Sequence, residues 1–183
     1  MERISELLAS PFFFLRHGES ANNQLNIVNG WTDCPLSETG REQARAVAAT
    51  VGGTGITAVY CSPLIRARET AEIVAAGARL EPIVIEGLKE RNWGTLECRP
   101  RAELTDYFMV PEGAESWDVY RERVWGTLSG LGIPANALVV GHAGTMRVLR
   151  YCLGIGDAAG RIPNASLLRF TQDNQNAWSF APE

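Results

Sequence analysis

The chain of 183 residues contains two histidines, His17 and His142, and both stand where they could do chemistry. His17 lies in "FFFLRHGES", directly after Arg16 and an apolar run, and His142 lies in "ALVVGHAGTMR", again after an apolar run and before small residues. A third polar cluster, residues 62–66 ending in Arg66, follows the run "ITAVYC". A neutral imidazole nitrogen is a competent nucleophile toward phosphorus, and a guanidinium offers a planar fork of donors matched to phosphate oxygens. Two imidazoles with Arg16 and Arg66 therefore point to phosphoryl transfer: one histidine attacks, and the other, if protonated, stabilises charge on the phosphoryl group in flight. A histidine at a turn is commonly no more than a satisfied polar residue, and it is the paired occurrence that carries this reading. Without HxH or HExxH spacing or a neighbouring Asp/Cys cluster the two make a poor metal site, so no metal and no cofactor is expected.

Such residues need elements to position them. Short apolar runs alternate with helical patterns along the chain, the signature of an α/β domain with a mostly parallel sheet. The runs predict strands over 12–15, 56–60, 83–85, 137–140 and 167–171, with a last one over 177–180. Helices are predicted over 37–51, 62–77, 115–131 and 144–154. The second of these opens on Ser62 as N-cap with Pro63 at the first helical position. Residues 94–113 are irregular, with a short helix over 101–108 the only pattern there. In open α/β sheets ligands bind beyond the carboxyl ends of the strands, which is where Arg16-His17-Gly18, residues 62–66 and Gly141-His142-Ala143-Gly144 fall. A helix following the first strand would also turn its N-terminal amides toward an anion.

Composition limits the partners. The length and the 45% hydrophobic content suit one domain with a full core, spanning 1–183. A net charge of -4 offers no basic face for nucleic acid and no polybasic patch for anionic lipid, so neither a nucleic acid nor a membrane is expected as partner. Lys89 is the sole lysine, every other basic residue being arginine. Cys34, Cys61, Cys98 and Cys152 are spread singly, without a CxxC pair, and read as small buried hydrophobes. With no leader-like N-terminal pattern and no long apolar run, the protein is expected to be cytoplasmic, with reduced thiols.

Together these residues resemble the histidine phosphatase superfamily, also called the phosphoglycerate mutase-like family. "LRHGES" is similar to its phosphohistidine signature, "GWTDCPLSETGREQA" to the segment that follows, and "CSPLIRARETAEIV" to the helix bearing the second phosphate-pocket arginine. "LKERNWG" resembles the loop supplying the general acid, and "VVGHAGTMR" the segment with the second histidine. The resemblance implies a three-layer α/β/α fold around a mostly parallel sheet, with His17 as nucleophile, Arg16 and Arg66 on the phosphate, Glu90 as general acid and His142 as second histidine. It further implies substrate contacts by Asn23, Asn29, Gly30, Trp93, Arg101, Ala143 and Gly144. For Arg101 a solvated helix position is an equal alternative, since exposed arginine is the norm. Glu90 would protonate the leaving alkoxide and then activate the water that hydrolyses phospho-His17.

Hydrolysis and mutase transfer share the phosphohistidine step, so these motifs alone do not separate them. Family mutases that depend on a phosphorylated primer carry a longer segment between the acid loop and the second histidine, with two adjacent arginines gripping substrate. Between Glu90 and His142 there is no such pair, and Arg99, Arg101, Arg121 and Arg123 stand apart. The expectation is a phosphatase acting on a small phosphomonoester, with a mutase as first alternative and a non-catalytic phosphate-binding relative as second. Residues 94–115 are expected to form a variable cap, where Tyr107 and Phe108, with Trp93 and Trp117 at its flanks, either meet an apolar part of the substrate or belong to the core.

Overall fold

The structure, a computed structural model, describes residues 10–156 and 162–183. β1 (Phe12–Arg16) leads through the short helix α1 (Ala21–Gln24) to α2 (Glu38–Val51), β2 (Val59–Cys61), α3 (Ile65–Ala78) and β3 (Pro82–Val84). After an irregular stretch come α4 (Trp117–Gly130), β4 (Leu138–Gly141), α5 (Ala143–Cys152), β5 (Leu167–Gln172) and β6 (Trp178–Pro182). The six strands form one sheet in the order β3-β2-β4-β1-β5-β6. The first four are parallel neighbours, and β5 and β6 are added antiparallel on the β1 side.

β1 is central and buried on both faces, which is why its sequence is an unbroken apolar run rather than an alternation. Successive side chains still point to opposite faces. Phe12 and Phe14 enter the core beneath α4 and α5, with Tyr120, Val124, Leu128, Val148 and Leu149. Phe13 and Leu15 enter the core beneath α2 and α3, with Val51, Ala67, Ala71 and Val74. β4 divides in the same way, Val139 to the first core and Leu138 and Val140 to the second. Two helical layers thus enclose one sheet, the three-layer arrangement expected. Pairing aligns Arg16 with Gly141, so the residues that follow each strand, His17 and His142, emerge side by side.

Local expectations are corrected at four places. The second strand is shorter than 56–60: Ile56 is buried but ladder pairing starts only at Val59. Helix α3 is capped by neither Ser62 nor Pro63. Its N-cap is Leu64, which offers no side-chain bond, and Asp33 Oδ1 instead accepts the Ile65 N–H at 2.7 Å. Over 101–108 only a 3₁₀ turn forms, Arg101–Glu103: the Leu104 and Thr105 N–H groups bond to the Arg101 and Glu103 carbonyls, and the Asp106 carboxylate takes the Phe108 N–H that a helix would have used. Cys34 and Cys61 are buried as expected, whereas Cys152 is half-buried and Cys98 is exposed.

Candidate active site

At the carboxyl ends of β1 and β4 the chain has to turn without filling the space a ligand would use. Gly18 and Gly40 pack back to back: a Cβ on Gly18 would stand 2.5 Å from the Gly40 carbonyl oxygen, and one on Gly40 would stand 2.0 Å from that of Glu19. This close approach seats the loop after β1 on the first turn of α2.

His17 is buried, and its Nδ1 lies 2.7 Å from the carbonyl oxygen of Gly18. A carbonyl only accepts, so Nδ1 carries the proton and Nε2 holds the lone pair. Burial, with the charges of Arg66 and Arg16 added, holds the His17 imidazole well below its ordinary value of 6.5 despite the opposing bond to Gly18. His142 packs against it, the two ring centroids being 5.2 Å apart. Its Nε2 is 2.7 Å from Ser62 Oγ, and its Nδ1 is buried with no hydrogen-bond partner among the described residues. Burial and then the charges of Arg66, His17 and Arg16 depress His142 as well. Both imidazoles are therefore neutral near neutral pH, so the second histidine expected from the sequence takes a charge only beside an anion.

Arg16 and Arg66 are buried. Arg16 Nη1 donates to the Ile162 carbonyl. Arg66 donates through Nη1 to Thr32 O at 3.1 Å and through Nη2 to Gly30 O at 2.8 Å, while its Nε is buried without a partner among the described residues. The carbonyls that hold Arg66 belong to a loop pinned by Glu97, whose carboxylate accepts from the backbone N–H groups of Trp31, Thr32 and Trp93 and from the Thr32 hydroxyl.

Glu90 is fixed by three donors. Oε1 accepts from its neighbour's backbone, Arg91 N, at 2.8 Å and from the Tyr120 hydroxyl at 2.9 Å, and Oε2 accepts from Gly144 N at 3.1 Å. Arg123 donates to the carbonyls of Gly87, Lys89 and Glu90 while paired with Glu115, so it braces the acid loop from α4. Arg121 pairs with Asp118 instead. Arg91 is fully buried, stacks 4.2 Å above Trp93 and donates to Glu115, Tyr107 and Met109 carbonyls, tying the 94–115 segment down.

Arg16, His17, Arg66 and Glu90 face one cavity of about 310 Å³. Of the substrate contacts implied by resemblance, Asn23, Asn29, Gly30, Trp93, Arg101 and Ala143 also line it. Gly144 does not; its N–H instead holds Glu90. His142 is fully buried behind His17. Tyr107 lines the cavity as envisaged, whereas Phe108 and Trp117 line a separate depression. The helix after β1 does not serve the anion: α1 has four residues, and its Ala21 and Asn23 N–H groups are engaged by the Pro35 carbonyl and by Ser20. The helix that opens at the cavity is α5, through Ala143.

Beside Glu97 and Tyr120, three further participants are not among the residues singled out in the sequence. Asn164 Nδ2 donates to the carbonyls of His17 and Gly18 and to Asn23 Oδ1, and nothing in its local sequence announces that. Arg147 and Arg150 line the cavity with Ala143 and Met146. Their spacing, i, i+3, i+4 and i+7, is one helical face, and that periodicity was available in "AGTMRVLR".

At the strand ends one cavity thus brings together the His17 imidazole, with His142 packed against it, two buried guanidiniums and a tethered carboxylate. The chain belongs to the histidine phosphatase superfamily (branch 1), whose family model matches residues 12–180. It is 32% identical over 177 residues to a Yersinia enterocolitica protein named "Probable phosphoglycerate mutase GpmB", covering 86% of this chain and 82% of that one. Among solved structures it resembles mycobacterial glucosyl-3-phosphoglycerate phosphatase, with a TM-score of 0.81 and 23% identity over 95% of this chain and 97% of that one. It also resembles phosphoserine phosphatase from Entamoeba histolytica, with a TM-score of 0.80 and 23% identity over 95% of this chain and 96% of that one. At that identity the two structures speak for the fold.

Proposed function

We propose that the protein is a phosphomonoesterase that works through phospho-His17 on a small phosphorylated metabolite, without a metal. The observation that carries this reading is the His17 tautomer: Nδ1 is committed to Gly18 O, which leaves an unprotonated Nε2 in a cavity with Arg16 and Arg66. In the first step Nε2 forms a bond to phosphorus as the bond to the alcohol oxygen breaks, and Glu90 gives that oxygen a proton. In the second, the Glu90 carboxylate takes a proton from water, the water oxygen bonds to phosphorus, and the P–N bond breaks to return neutral His17 and inorganic phosphate. Arg16 and Arg66 hold the non-bridging oxygens throughout and supply the positive charge a metal would otherwise bring. His142 Nδ1 turns toward the bound anion as a donor once protonated, while Ser62 fixes its other nitrogen.

Mutase transfer is the second reading, favoured by the name of the Yersinia relative. Against it stands the lack of an adjacent arginine pair between Glu90 and His142. The substrate is taken to be a free metabolite in the cytoplasm, with neither a nucleic acid nor a membrane as partner.

The test is steady-state phosphate release from an aryl phosphomonoester in excess EDTA, comparing wild type with His17→Ala. Turnover that survives chelation and is lost in the variant is the expected result. No release by the wild type, with release restored by a bisphosphorylated primer and its acceptor, would instead establish the mutase; no transfer under either condition would leave a phosphate-binding relative.

A further inference from the structure

Residues 162–165, which follow α5 in the chain, close on the loop that carries the nucleophile. Arg16 Nη1 donates to the Ile162 carbonyl, and the Ala165 N–H nitrogen lies 3.0 Å from Arg16 O and 3.2 Å from His17 O. Asn164 Nδ2 lies 3.0 Å from His17 O, 3.2 Å from Gly18 O and 3.1 Å from Asn23 Oδ1. Ala165 holds a φ of 55°, a left-handed conformation that a residue with a Cβ keeps only where its surroundings impose it. The turn so formed reaches three successive carbonyls, those of Arg16, His17 and Gly18.

Hydrogen-bond chemistry fixes which way the Asn164 amide points. The carbonyls of His17 and Gly18 only accept, so the atom beside them is the nitrogen. Asn23 is oriented in turn: the Ser20 N–H, 3.2 Å away, only donates, so the Asn23 atom shared by Ser20 and Asn164 is its oxygen. With that oxygen occupied twice, Asn23 offers the cavity it lines its Nδ2 donor. The Gly18 carbonyl is the same one that takes the proton of His17 Nδ1, at 2.7 Å. Its peptide is clamped at both ends by side-chain amides: Gln43 Oε1 of α2 accepts the Glu19 N–H at 2.9 Å, and Asn164 holds the carbonyl. Without Asn164 that carbonyl keeps His17 alone as its partner among the described residues. Asn164 itself does not line the cavity, so it acts through its neighbours and not on the substrate.

We propose that Asn164 is a positioning residue for the nucleophile: through the Gly18 carbonyl it keeps the His17 proton on Nδ1, and through Asn23 Oδ1 it leaves a donor available to the same cavity. The inference rests on the phosphomonoesterase reading for what His17 Nε2 attacks, whereas the tautomer is a property of the ligand-free protein.

The experiment is imidazole-nitrogen NMR of ligand-free protein labelled at histidine, whose two rings are told apart with His142→Asn. Rapid-quench measurement of phospho-His17 formation from an aryl phosphomonoester accompanies it. Asn164→Ala removes the amide, and Asn164→Asp keeps its shape but presents acceptors where two carbonyls and Asn23 need a donor. Asn164→Ser, which keeps a shorter donor in the turn, is carried alongside as the mildest change. Ser166→Ala is the control: it removes a hydroxyl bond to Pro163 O and loosens the same turn without touching the nucleophile loop. Wild type and Ser166→Ala should show the His17 proton on Nδ1 alone. The Asn164 variants should show it shared between Nδ1 and Nε2, with phospho-His17 forming about tenfold to a hundredfold more slowly, as a small misplacement of a reacting group costs. A His17 ring still protonated on Nδ1 alone in whichever Asn164 variant folds overturns the proposal. So does a wild-type ring without its proton on Nδ1, or a shared proton in Ser166→Ala. Absence of phospho-His17 in wild type, with the tautomer shift present in the variants, defeats the phosphatase reading and leaves the positioning role standing.

Discussion

A methyl group on Gly144 would stand 2.1 Å from Glu90 Oε1 and 2.6 Å from the Tyr120 hydroxyl, so any side chain there drives the carboxylate off its three donors. Gly144→Ala should therefore behave as a partial loss of Glu90. We expect kcat on an aryl phosphate to drop by about tenfold to a hundredfold, within the roughly 10²–10⁴ that a general acid contributes and that Glu90→Gln should forfeit more fully. Circular-dichroism melts should show Gly144→Ala folded, since its helix remains intact. The buried histidines make a prediction of their own. Their values lie below 6.5 when folded, so as pH falls below 6.5 the unfolded chain takes up protons that the native chain refuses. Their contribution to stability is complete above 6.5 and is lost as pH falls toward the lowered native values. The thermal midpoint of the ligand-free protein should decline between pH 7 and pH 5, and the His17→Gln and His142→Asn double variant should flatten that part of the profile.

At the scale of elements, the strands and long helices follow from local pattern, but what secures their ends does not. β1 was legible because its apolar run is long enough to be buried on both faces, and α5 because its apolar and polar positions keep helical spacing. The start of α3 was not. Ser62 and Pro63 form the right local signal, yet Ser62 Oγ is turned to His142, and the bond to the first turn comes from Asp33, 32 positions earlier. The expected helix over 101–108 also gives way to a side-chain bond, the Asp106 carboxylate taking the Phe108 N–H, while Arg91 holds the Tyr107 and Met109 carbonyls from across the cap. The candidate pocket divides likewise: motif residues were readable, whereas Asn164 and Glu97 act through folding alone. Asp33→Ala should cost about 1 kcal/mol, the usual worth of a cap, which lowers the midpoint by about 2–4 °C for a chain of this size. Because α3 carries Arg66, the same variant should raise KM for phosphomonoesters more than it lowers kcat.

For the whole molecule, the sheet is the shared wall of two cores. Phe12 stacks on Phe170 with centroids 4.8 Å apart, joining the parallel part of the sheet to its antiparallel edge. Phe12→Ala should lower the unfolding free energy in urea by about 3–5 kcal/mol, as for other buried aromatic truncations, with the loss shared by every probe of the fold. The linkage across β1 and β5 also sets an order in time. Arg16 and His17 are made long before their partners, the Ile162 carbonyl and the Asn164 amide, which follow about 146 positions later. A ribosome-bound chain that has already emitted every recognisable motif still lacks the clasp that closes over His17 and Gly18. The pocket is therefore completed only when the segment after α5 emerges, and a chain cut after α5 would carry the right signature around an unfinished pocket.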